Sequence, residues 1–134
     1  MGKASIDEPD AGYMHEPQAT SKLVARRAGT WLAARGVQAG DVVALCAPDS
    51  IDVAATKQAI SSIGAVEVTL NPLSSRRELF GQLCESGARW LVTTLDLMVQ
   101  KLEVAARPTA VMQTFLICSA AGDVTAPGGL ADAD

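Results

Sequence analysis

Four short strand-like segments, three of them followed by a segment of helical periodicity, constrain this chain more than any other feature. The first, Val42-Val43-Ala44-Leu45-Cys46, is continuous rather than alternating, as expected of a strand covered on both faces. Pro48, Asp49 and Ser50 stop it and cap a helix predicted over 51–63, which Gly64 ends. A second strand spans 65–70 and is broken at Asn71-Pro72, because proline cannot donate to a ladder. Ser75 and Glu78 stand in capping-box spacing at the start of a third helix, whose expected buried stripe is Leu79, Phe80, Leu83 and Cys84 and whose end is Gly87. A strand over 89–93, a helix over 96–106, a turn at Pro108 and a strand over 113–118 follow. Ahead of them, a helix is expected over 21–35, capped by Thr20 or Ser21 and closed by Gly36, with Val24, Ala28, Trp31 and Leu32 on one stripe. Such alternation gives parallel strands joined by right-handed crossovers. The expected class is α/β, a doubly wound, mostly parallel sheet with helices on both faces.

The 134 residues suffice for one domain. Residues 1–19 mix Pro, Gly, Asp and Glu without periodicity and read as a flexible lead-in; 20–120 read as the α/β domain; 121–134 read as an acidic Gly/Pro/Ala tail. Leu45, Val68, Leu70, Leu91 and Leu116 are expected on buried strands. The net charge of −4 is uneven: residues 1–17 and the stretch from Asp123 each carry −3, leaving +2 between them. Lys22, Arg26, Arg27 and Arg35 lie on one expected helix, a sparser set than the dense basic stripe of a nucleic-acid binder, so they read as its solvated face and support no nucleic-acid role. Cys46, Cys84 and Cys118 are odd in number, far apart and set among apolar residues, which suits buried free thiols in a reducing compartment. The acids and prolines at the start do not make a secretory signal, and no apolar stretch approaches the ~18–20 residues of a membrane span. A cytoplasmic protein is expected.

Doubly wound sheets carry their sites at the carboxyl ends of the strands. There, Ala47-Pro48-Asp49-Ser50 has none of the glycines of a dinucleotide turn, and no P-loop string occurs anywhere. The single histidine, His15, cannot build a zinc site or a Ser-His-Asp triad without help. Asp49 and Asp52 are explained by the dipole of the helix they precede or open. Thr93 and Thr94 end a strand where a ligand could touch them, but a strand-to-helix turn asks for hydroxyls in any case. The residues by themselves yield a fold and no catalytic, cofactor or metal site.

A resemblance adds to this. Trp31-Leu32-Ala33-Ala34-Arg35-Gly36-Val37-Gln38-Ala39-Gly40-Asp41-Val42-Val43-Ala44-Leu45, then Ser61-Ser62-Ile63-Gly64-Ala65-Val66-Glu67-Val68-Thr69-Leu70-Asn71-Pro72, then Ser75-Arg76-Arg77-Glu78-Leu79 and Ala88-Arg89-Trp90-Leu91-Val92-Thr93-Thr94, resemble in order and spacing the N-terminal part of AMP-binding, adenylate-forming acyl-CoA and aryl-CoA synthetases. The resemblance implies ATP, magnesium and coenzyme A for a full-length family member: an acid and ATP give an acyl-adenylate and pyrophosphate, and the acyl group then passes to coenzyme A. It also implies that the residues doing this form a Ser/Thr/Gly-rich loop ending in Pro-Lys, an aromatic-Gly-x-Thr-Glu motif, a ribose-binding Asp and a lysine of a further domain. None of these strings occurs in the chain. Gly40, Asp41, Gly64, Ala65, Asn71 and Pro72 match family positions that shape turns, a structural signature rather than a site.

Two features depart from the family: Asp49 stands where Asn is usual, and the aromatic-rich start is missing before Ser21. The expected function is therefore that of a truncated acyl-CoA ligase segment, inactive alone, partnered by the missing remainder of a ligase or by itself. The alternatives are a non-enzymatic interaction module and a relic of such a ligase.

Overall fold

The computed structural model describes residue 23, residues 25–117 and residues 130–132. A helix over 25–34 (α1) leads into β1 (Val42–Cys46), α2 (Ile51–Ser62), β2 (Val66–Leu70), α3 (Arg76–Ser86) and β3 (Trp90–Thr93). A helical stretch then runs as α4 (Leu95–Leu97), a π-helical turn (Met98–Leu102) and α5 (Glu103–Ala106), before β4 (Gln113–Ile117) and β5 (Leu130–Asp132). The five strands form one sheet in the order β2-β1-β3-β4-β5; the first four are parallel and β5 is antiparallel to β4. The doubly wound, mostly parallel sheet is the architecture that the alternation predicts.

Strand pleating sorts the core into two layers. Val43, Leu45, Trp90, Val92, Phe115 and Ile117 face one side, where Ala28 and Leu32 of α1 and Val53, Ala59 and Ile60 of α2 cover them. Ala44, Cys46, Leu70 and Leu91 face the other, under Leu79 and Leu83 of α3 and Leu102, Ala105 and Ala106. The first layer is centred on Phe115, stacked on Trp90 at 5.8 Å and 9° and met edge-on by Trp31 at 5.3 Å and 71°. Arg35 lies 3.9 Å over the Trp31 ring.

Local chemistry explains the boundaries. Ser50 Oγ accepts from the Val53 N–H at the start of α2. At α3 the capping box is complete: Glu78 N–H donates to Ser75 Oγ, and Ser75 N–H donates to Glu78 Oε1. Gly87 ends α3 in the left-handed region, φ 67°, which an L side chain adopts reluctantly.

Four expectations need correction. Residues 130–132, read as tail, form β5, where Leu130 is fully buried and Asp132 accepts from Arg35 (3.2 Å) and from Gln113 (2.9 Å). Val68 is only half-buried, because among the described residues β2 lies at the sheet edge with β1 as its single neighbour. Phe80 and Cys84 are exposed, since α3 turns only the Leu79 and Leu83 side of the expected stripe to the sheet. The helix expected over 96–106 begins at Leu95 and is interrupted by the π turn, closed by the bond from Glu103 N–H to the Met98 carbonyl. Arg26 and Arg27 are exposed, as a solvated face requires. Val24, Cys118, His15, Lys22 and nearly all of the lead-in and tail lie outside the described residues. No helix among the described residues is long and apolar enough to cross a membrane.

Candidate functional site

The six signature residues fall at two ends of the sheet. Gly40, Asp41, Gly64 and Ala65 meet at the amino ends of β1 and β2, where Gly40 N–H donates to the Gly64 carbonyl at 2.9 Å and Val66 N–H to the Asp41 carbonyl at 2.8 Å. Gly64 sits at φ 79°, and an added Cβ would come within 3.1 Å of Ala39 Cβ, so both backbone and space call for glycine. Asn71 and Pro72 lie at the far, carboxyl end of β2. There Asn71 Oδ1 accepts from Leu73 N–H (2.9 Å) and its carbonyl from Ser74 N–H (3.0 Å).

Asp41 organises the amino-end cluster. Its Oδ2 accepts from Gln38 N–H at 2.9 Å and from Trp90 Nε1–H at 3.0 Å, tying the β1 approach to β3. The hydrogen bond from the Gln38 backbone, then that from Trp90, hold its carboxyl below the ordinary carboxylate value. A depressed folded-state pKa adds stability above the unfolded value, and that stability is lost as the pH falls through the folded one. Asp41→Asn is therefore expected to flatten the decline of Tm below about pH 4, relative to the unsubstituted chain. Parallel decline in both proteins would contradict this role.

The carboxyl end contains the topological switch point. Neighbouring β1 and β3 feed connections to opposite faces, α2 on one and α4 on the other. Cys46 and Thr93 are paired in register there, both buried. Ser50 and Thr94 are engaged as helix caps, whereas buried Thr93 Oγ1 has no hydrogen-bond partner among the described residues. Burial pushes the Cys46 thiol up to about 11, against the opposing pull of the Lys101 charge. Exposed Cys84 should thus be alkylated in the folded chain while Cys46 is spared until unfolding, which mass spectrometry after iodoacetamide treatment checks. Equal labelling of the two would contradict the buried position of Cys46.

Asp52 lies in the first turn of α2, where the helix dipole accounts for it. No group of three or more His, Cys, Asp or Glu converges among the described residues. What the geometry defines is a mostly parallel α/β scaffold with two shaped loop clusters.

The family follows from comparison with known proteins. The model of the family described as "AMP-binding enzyme" matches residues 22–128, and the chain belongs to this family. A 4-coumarate–CoA ligase (number 3) of Arabidopsis thaliana is 35% identical over 71 residues, 53% of this chain and 13% of that protein. A 4-coumarate–CoA ligase-like protein of Oryza sativa subsp. japonica is 33% identical over 102 residues, 76% of this chain and 17% of that one. Among solved structures, a long-chain-fatty-acid–CoA ligase of Archaeoglobus fulgidus superposes with TM-score 0.64 and 30% identity, covering 81% of this chain and 20% of that one. The Brucella canis acyl-CoA synthetase gives 0.66 and 29%, covering 77% and 18%. The chain thus spans less than a fifth of the length of these curated relatives. Membership in the AMP-binding family is what the sequence resemblance implies.

Proposed function

We propose that these residues supply the N-terminal α/β scaffold of an ATP-dependent acid–CoA ligase, and that the 134-residue chain does not adenylate an acid by itself. The observation that carries this reading is the family match over 22–128 to proteins named as CoA ligases, in a chain without the phosphate-loop, aromatic-Gly-x-Thr-Glu or Pro-Lys strings. Adenylation places developing charge on pyrophosphate, and the groups that would stabilise it belong to those strings. The part played by Gly40, Asp41, Gly64, Ala65, Asn71 and Pro72 is to fix the sheet on which such groups are carried. The acid is a fatty or aryl carboxylic acid, in keeping with the 4-coumarate and long-chain fatty acid of the matched proteins' names.

Segment exchange tests the scaffold role. Residues 22–128 replace the corresponding segment of the Archaeoglobus fulgidus ligase, and ATP-dependent formation of the CoA thioester is followed. A folded chimera that retains thioester formation supports the reading. One that folds, by circular dichroism and cooperative melting, yet is inactive would contradict it.

A further inference from the structure

The turn after β2 and the π turn of the helical stretch after β3 are tied by a pair of reciprocal links. Lys101 Nζ, from the π turn, donates to the Pro72 carbonyl and to the Ser74 carbonyl, both at 2.8 Å. In the opposite direction, Arg76 Nε at the start of α3 donates to the Gln100 carbonyl at 3.0 Å. The linked segments follow β2 and β3, which are separated in the sheet by β1.

Each part of this arrangement has a physical reason. Among the described residues β2 is an edge strand, so the turn that follows it has no described strand on its outer side. Its internal bonds are the two made by Asn71 to Leu73 and Ser74, and they leave Leu73 88% exposed. Lys101 is half-buried and carries no carboxylate partner among the described residues; its ammonium is held by neutral carbonyls, and bonds from a charged donor are the stronger kind. A π turn inserts a residue and rotates the following ones by about 100°, and such turns concentrate at functional positions in helices.

We propose that Lys101 is a latch: it pins the Asn71–Ser74 turn to the helix after β3, so that the turn and this helix hold or release as one unit. The inference stands apart from the ligase reading. The opposing pull of the Lys101 charge on the Cys46 thiol agrees with a cation near the end of β1. Loss of the charge frees the turn while the sheet stays formed.

Amide hydrogen exchange of the full chain tests this. Lys101→Met is expected to speed exchange at Leu73 and Ser74 by about 10-fold or more, with Leu45 and Val92 changed by less than about 2-fold. Unchanged exchange at Leu73 and Ser74, or a uniform rise across the sheet, would overturn the latch. Should this variant fail to fold, acetic anhydride footprinting of the unsubstituted chain decides. Lys101 and Lys57 are both half-buried, but the Lys57 ammonium has no hydrogen-bond partner among the described residues. Lys101 acetylating about 10-fold or more slowly than Lys57 supports a latched ammonium, and equal rates would overturn it.

Discussion

Phe115→Ala is expected to lower stability by about 3–5 kcal/mol, the usual range for deleting a buried aromatic ring. Phe115 is fully buried on β4 and joins three parts of the molecule: it stacks on Trp90 of β3, meets Trp31 of α1 edge-on, and belongs to the same cluster as Leu130 of β5. Truncation leaves a cavity between two indoles that are fixed by other bonds, Trp90 by Asp41 and Trp31 by Arg35, so collapse around it is restricted. Against a total stability of about 5–15 kcal/mol for a domain, the loss is enough to populate the unfolded chain. Urea denaturation followed by tryptophan fluorescence measures it. A loss under about 1 kcal/mol would mean that β4 does not pack as described.

Leu91→Ala ranks next, at about 2–5 kcal/mol. Leu91 is 1% exposed at the centre of the sheet, on the opposite face from Phe115, against the α3 and α5 layer. Ser75→Ala removes one half of the α3 capping box on an exposed helix end and should lower stability by about 1 kcal/mol. The comparison of the two is more informative than either alone. A larger shift of the denaturation midpoint for Ser75→Ala than for Leu91→Ala would contradict the placement of β3 in the core.

The four parallel strands were legible because short segments rich in β-branched and apolar residues are set off by turn residues, and because capping residues act locally. Ser75 with Glu78, and Ser50 before α2, announce their helices within a few positions. What the sequence hid depends on distant partners. Leu130-Ala131-Asp132 is too short for periodicity, and it becomes a strand by pairing with β4 and by the Arg35–Asp132 ion pair, 97 positions apart. Val68 looks like a core valine until β2 proves to be an edge among the described residues. Phe80 and Cys84 share the helical period of Leu79 and Leu83, and only the rotation of α3 on the sheet decides which pair is buried. The π turn leaves the apolar spacing of 95–106 unchanged to the eye.

The loop signature was legible as turns, but its grouping was not. Gly40-Asp41 and Gly64-Ala65 come together because β1 and β2 pair in parallel, which also sends Asn71-Pro72 to the other end. The bond between Asp41 and Trp90 spans 49 positions, and the reach of Lys101 to Pro72 spans 29, so neither leaves a local signal. Thr93 illustrates the converse. Its place beside a capping threonine was visible, while its lack of a hydrogen-bond partner among the described residues appears only when the surrounding side chains are placed.

The proposal that this chain is a ligase scaffold without its own adenylation chemistry meets its most direct test in pyrophosphate release. The purified 134-residue chain is incubated with ATP, magnesium and a panel of fatty and aromatic acids, and pyrophosphate is measured against a protein-free blank. The predicted result is release equal to the blank with every acid; acid-dependent release above it, accompanied by AMP, would contradict the account.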